Sequence, residues 1–166
     1  MNLTTNRLYL MYQTITLTEQ QYQSGVMQAN QRDYQSQQLG HSNARGLKGQ
    51  NDFSLMGSVA EVAASLFGSI DFKISVNAWN DPDLITKSGK KVDVKASKQA
   101  EYLYIAPRHL HPSWFYLAVQ QLDDYTYAFL GWIEGKDVFQ YPLKDIKNRN
   151  SAVYCIPTAA LNTRFN

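Results

Sequence analysis

Residues 82–95 read PDLITKSGKKVDVK, two short strand-like stretches on either side of a Ser-Gly turn signal. Val92, Val94 and Ala96 alternate with Asp93, Lys95 and Ser97, so the two sets belong to opposite faces of a strand. Residues directly opposite in an antiparallel pair share a face, and a slip of one residue sends a side chain to the other face. A three-residue loop, Lys87-Ser88-Gly89, with glycine in the left-handed position, pairs Thr86 with Lys90 and sets Asp83 opposite Asp93. A two-residue loop, Ser88-Gly89, pairs Asp83 with Val94 and sends the acids to opposite faces. Glycine fits the third slot of the longer loop better than Ser-Gly fits a primed two-residue turn, so the first register is the expected one.

A second constraint lies upstream. Phe53, Met56, Gly57, Ala60, Ala64 and Phe67 keep helical spacing, with Asp52 as a cap and Gly68 as a stop. Leu55, Val59, Val62 and Leu66 make the remaining sides apolar, so this helix reads as largely buried. Glu61 sits on the flank of its apolar stripe, where a carboxylate is costly unless paired.

Ahead of that helix, β-formers between Arg7 and Leu17 suggest an opening strand. Thr18 and Gln21 have capping-box spacing and Gly40 offers a stop, which predicts a helix over about 19–38 with Tyr22, Val26, Met27 and Tyr34 as its buried points. The loop GHSNARGLKGQND carries Arg45 and Lys48. Downstream, Phe72, Ile74 and Val76 alternate with polar residues. Tyr102 to Ala106, Trp114 to Gln121 and Tyr125 to Ile133 read as strands, the last two joined by a turn at Asp123-Asp124. A helix on a mixed sheet is the economical architecture, of α/β or α+β class. The expected organisation is a single domain, with residues 1–50 an N-terminal strand, helix and basic loop and residues 51–166 the core.

The 166 residues suffice for one well-formed core, and a net charge of +2 does not by itself argue for nucleic acid. The lone cysteine, Cys155, excludes an internal disulfide and a thiolate metal cluster, and reads as a small buried residue. No apolar run is long enough to span a bilayer and the first residues lack a signal-peptide profile, so a soluble cytoplasmic protein with no membrane partner is expected.

In the preferred register two carboxylates face each other, an arrangement that repels unless a cation lies between them. Lys95 stands on the same face, and Glu61 adds a third carboxylate if its helix packs near the start of the hairpin. Oxygen ligands of this kind suit Mg²⁺ or Mn²⁺. With a lysine to orient water or balance phosphate charge, the chemistry is metal-assisted phosphodiester hydrolysis. Asp81 competes with Asp83, since a bulge would exchange them; parity and the preceding Pro82 favour Asp83.

Pro82-Asp83, the hairpin and Asp93-Val94-Lys95 together resemble the PD-(D/E)XK nuclease superfamily, and Glu61 in GSVAEVAASLFG matches its first-helix glutamate. The run WFYLAVQQLDDYTYAFLGWIEG is similar to the strand pair that follows the motif in small phage and bacterial members. The resemblance covers roughly residues 50–160 and rests on the order of its parts. It implies a restriction-endonuclease-like αβββαβ core, a mixed central sheet flanked by helices, in a bacterial or phage-infected cell. It further implies a metal held by Asp83, Asp93, Glu61 and the backbone carbonyl of Val94, with Lys95 acting on water or phosphate. DNA is the implied substrate, with RNA as the other candidate, and enzymes of this kind often act as homodimers. One departure stands out: no clear helix signal lies between Ala96 and Trp114, where the superfamily has its second core helix. The rival reading is a catalytically inactive nucleic-acid-binding or phage-associated interaction protein on the same fold.

Lys87, Lys90, Lys91 and Lys98 cluster around the hairpin. Such lysines ordinarily serve solubility or guard a strand edge, and phosphate contact is the functional alternative. Gln99 and Arg108 are further candidates for the nucleic-acid groove. His109 and His111 have same-face strand spacing, but Pro112 and the lack of a nearby third ligand favour a loop. Trp79, Trp114 and Trp132 read as packing residues.

Overall fold

The computed structural model describes residues 12–38, 50–67, 73–74, 81–147 and 151–164. In chain order these form β1 (Thr14–Thr16), α1 (Glu19–Gln38), α2 (Gln50–Ser65), β2 (Lys73–Ile74), β3 (Leu84–Ile85), β4 (Lys91–Ser97), β5 (Tyr102–Ile105), β6 (Phe115–Gln121), β7 (Thr126–Glu134), the single turn α3 (Gly135–Val138), β8 (Leu143–Lys144) and β9 (Val153–Pro157). Short 3₁₀ turns at Pro107–His109 and Thr158–Ala160 complete the set. The class is α+β.

Six strands form one mixed sheet in the order β1-β7-β6-β4-β3-β2, and β5-β9-β8 form a second, antiparallel one. Within the large sheet β4 and β6 run parallel, while its other neighbours are antiparallel. The parity argument holds. Leu84 pairs with Val92 and Ile85 with Lys91, so the same count sets Thr86 against Lys90 and Asp83 against Asp93. Gly89 N–H closes the turn on the Thr86 carbonyl at 2.9 Å, and Gly89 takes φ +80°, a left-handed conformation that glycine enters without steric cost.

Alternation on β6 sorts its residues between two cores. Val92 and Val94 face Val59, Ala60 and Ala63 of α2, together with Leu117 and Val119 of β6. The opposite face of β6, with Tyr116 and Ala118, packs on Leu103 and Ile105 of β5 and Ile156 of β9. Helices therefore cover one face of the large sheet and a small sheet the other. Where the resemblance implies a second core helix, the chain has β5 and one 3₁₀ turn. Tyr102-Leu103-Tyr104-Ile105 alternates as a strand, Pro107 biases Ala106 to the extended region, and Pro112 limits any helix before it to a single turn.

Helix α1 has the expected bounds and its capping box is formed: Thr18 N–H donates to Gln21 Oε1 at 2.8 Å, and Gln21 N–H to Thr18 Oγ1 at 3.3 Å. Its buried face differs from expectation. Met27 is 71% and Tyr34 63% exposed, whereas Gly25 and Ala29 are buried. Small residues let α1 approach α2 closely, which an apolar face of long side chains would prevent. Helix α2 begins two residues before Asp52, which thus lies in its first turn rather than ahead of it. The expected residues Arg7, Arg45, Lys48, Gly40, Gly68, Phe72, Val76 and Trp79 lie outside the described residues.

Candidate active site

Three acidic side chains meet where α2 passes the base of the β3–β4 hairpin. Asp93 is 8% exposed, on β4 between the two core valines. Asp83, just ahead of β3, accepts a hydrogen bond from the Val94 backbone N–H on Oδ2 at 2.8 Å, so the acid is tied to the strand opposite. Glu61, 4% exposed on α2, and Asp93 stand close enough for their charges to act on the Asp83 carboxyl.

Two cations answer these acids. Lys95 Nζ lies 3.0 Å from Asp93 Oδ1 and 2.7 Å from Oδ2. Arg32, from α1, donates Nη1 to Glu61 Oε1 and Nη2 to Glu61 Oε2, both at 2.7 Å, and Nη1 also reaches Ser58 Oγ at 3.3 Å. Gln28 Nε2 adds a bond to Glu61 Oε2 at 3.1 Å. Forked pairing of this kind is the strong form of a charge-assisted bond. It requires the close helix crossing already described, because a Cβ on Gly25 would stand 2.8 Å from Val59 Cα.

The electrostatics register an excess of negative charge. Burial, then the charges of Glu61 and Asp93, hold the Asp83 carboxyl well above the usual aspartate range, with Lys95 opposing. Burial also raises Glu61 despite Arg32. Burial and the charges of Lys95 and Arg108 lower His109. Tyr116, paired with Asp93 across β4 and β6, is pushed up to about 12, chiefly by burial. Its hydroxyl donates to the His109 carbonyl at 2.7 Å and accepts from His111 N–H at 2.8 Å, fixing the turn beside Lys95.

Among the described residues no three Asp, Glu, His or Cys side chains stand as a ready-made metal-ligand group. Lys95 pairs with both oxygens of Asp93, and Arg32 with both oxygens of Glu61. The donor chemistry, three carboxylates beside two protein cations, is of the oxygen kind that divalent cations take, and Asp83 is the acid that burial and its neighbours hold well above the usual aspartate range. The Val94 side chain is in the core, which leaves only its backbone for the site.

The basic candidates divide. Lys98, Gln99 and Arg108 line, with Lys95 and His109, a cleft of about 990 Å³ at the C-terminal end of β4. Lys90 and Lys91 instead lie over aromatic rings at the start of β6, Phe115 at 5.0 Å and Trp114 at 5.8 Å. Lys87 is exposed at the turn tip. His111 stacks on Trp114 with centroids 4.0 Å apart, so it serves packing, and His109 lies on the 3₁₀ turn. Sequence reasoning missed Arg32 and Gln28; their signal was a polar stripe at i, i+4 on α1, which pointed only to solvent.

Compared with known protein families the sequence matches no family model, and no curated protein is significantly similar to it. The functional reading therefore rests on the geometry of the site.

Proposed function

We propose that this protein is a metal-dependent nuclease with a PD-(D/E)XK-type site, hydrolysing phosphodiester bonds of DNA or RNA. One observation carries the reading: the hairpin register puts Asp83 opposite Asp93, with Lys95 on Asp93 and Glu61 closing the third side. Further support comes from the order of elements, a helix, three antiparallel strands and a parallel neighbour for the motif strand.

Asp83, Asp93 and Glu61, with the Val94 carbonyl, are the residues that would hold Mg²⁺ or Mn²⁺. Bound there, the ion supplies positive charge to the scissile phosphate and acidifies the attacking water. Lys95 is the residue placed to orient that water and to offset charge developing on the phosphoryl oxygens. Lys98, Gln99 and Arg108 bind the flanking backbone. The Asp83 bond to Val94 N–H fixes one acid relative to the strand that carries the other two catalytic groups.

The test is cleavage of single-stranded, duplex and branched DNA, and of RNA, with Mg²⁺ or Mn²⁺, comparing the wild type with Lys95→Ala. Loss of at least a hundredfold in rate is expected for the variant, in keeping with removal of a preorganised charge at the transition state. Equal rates would refute the role of Lys95. Absence of cleavage on every substrate would favour the second reading, a non-catalytic nucleic-acid-binding protein on this fold. The two-pronged hold of Arg32 on Glu61 is the observation behind that alternative, because it supplies a cation from the chain itself.

A further inference from the structure

We infer that the cleft beside the carboxylates receives a single-stranded polynucleotide, with Tyr102 and Tyr104 as the surfaces on which its bases stack; the inference deepens the nuclease reading and rests on it. Along β5 the alternation is strict. Leu103 is 3% exposed and Ile105 fully buried, so Tyr102 and Tyr104 point to the other side. Their rings are 6.0 Å apart and inclined by 30°, close to parallel, and Tyr102 is 41% exposed.

Both tyrosines line the same cleft as Lys95, Lys98 and Arg108. Asp124 is the acidic residue of that lining, so cations outnumber it among these groups. Aromatic platforms beside a basic track are the means by which proteins hold one strand regardless of its sequence, since every base has a stacking face and every nucleotide a phosphate. Lys95 belongs both to the cleft lining and to the ion pair with Asp93, so a strand laid over the tyrosines would pass beside the acids.

Size argues for one strand. About 990 Å³ is the space of a large ligand pocket and admits a few nucleotides. The strand β5 creates the platform, because a strand presents i and i+2 side by side where a helix would turn one of them away.

The experiment measures binding rather than cleavage. Fluorescence anisotropy of labelled oligothymidylate, oligouridylate and a blunt DNA duplex is recorded in chelator, with wild type, Tyr102→Ala, Tyr104→Ala and the double Tyr→Phe variant. Both single strands should bind more tightly than the duplex. Each alanine variant should weaken single-strand binding about tenfold, while the phenylalanine variant, which keeps the stacking faces, should stay within about twofold of wild type. The thymidylate and uridylate arms decide between DNA and RNA. Duplex binding as tight as single-strand binding, undiminished binding by the alanine variants with native circular dichroism, or no binding at all would overturn the inference. Since no metal is present, single-strand binding without later cleavage in Mg²⁺ would overturn the nuclease reading alone. Cleavage with unchanged alanine-variant binding would overturn only the tyrosine platform.

Discussion

Arg32 on α1 grips both carboxylate oxygens of Glu61 on α2, a pair of 2.7 Å bonds that joins the N-terminal helix to the candidate active site. The Arg32 side chain retains 25% exposure and that of Glu61 only 5%, so the arginine screens the glutamate from water on the side where α1 lies. Ser54 Oγ donating to Asp33 Oδ1 at 3.1 Å adds a second polar tie across the same helix pair.

Arg32→Ala should destabilise the protein by about 3 kcal/mol, because it leaves a buried carboxylate without its partner. Urea unfolding of Arg32→Ala, Glu61→Gln and the double variant measures this. The double variant should recover part of the loss, since Glu61→Gln removes the orphaned charge. Strict additivity would show that the two side chains do not act as a pair.

The raised carboxyls make a pH prediction. A carboxyl whose folded pKa lies above its unfolded value binds more protons in the folded state, so its stabilisation is complete below the unfolded value and is lost as pH rises through the folded one. For Asp83 the loss starts near the ordinary 3.8, and for Glu61 near 4.5, and runs upward. In chelator the melting temperature should therefore decline as pH rises from that range toward neutrality, and Asp83→Asn should flatten the decline. Mg²⁺ or Mn²⁺ should raise the melting temperature more at about pH 8 than at about pH 5, since ionised oxygens are the ligands. A metal effect that survives unchanged in Asp83→Asn would remove Asp83 from the ligand set.

Gly25→Ala tests the helix crossing. The added methyl would stand 2.7 Å from Val59 Cγ2 and 2.8 Å from Val59 Cα, and a backbone atom cannot swing aside. The strain, about 2 kcal/mol, should exceed the gain of roughly 1 kcal/mol in helix propensity. A lower unfolding midpoint is expected, together with a partial loss of the Arg32–Glu61 coupling energy in the cycle above. A more stable variant would mean that α1 does not approach α2 so closely.

Gly89 holds the register. Open space surrounds its Cβ direction, so substitution costs only the left-handed backbone, about 1–2 kcal/mol for alanine and less for asparagine. Thermal unfolding should rank glycine, asparagine and alanine in that order, and metal-dependent cleavage should follow the same order. Alanine as stable as glycine would show that the turn does not need this conformation.

How much could be read in advance follows from how far apart the deciding residues lie. The capping box at Thr18 and Gln21, the bounds of α1 and the hairpin register at Lys87-Ser88-Gly89 depend on neighbours within a few residues, and each was legible. Parity alone then placed Asp83 against Asp93 and Lys95 on the same face. The buried face of α1 was misread because Met27 and Tyr34 are the stronger apolar residues, yet packing selected Gly25 and Ala29. Pattern reports which residues gain from burial, and only the distance between two helices decides which ones fit.

The same division applies to the site. Local sequence placed two carboxylates and a lysine together, because a strand's twofold alternation and a turn's length are short-range facts. The partner of Glu61 and the cleft shared by Lys95 with Tyr102 and Tyr104 were settled by tertiary structure. Arg32 and Glu61 are far apart along the chain, and no periodicity within either helix encodes how the two axes cross. That crossing is set by side-chain volumes at Gly25 and Val59, which is where the charge balance of the carboxylates was decided.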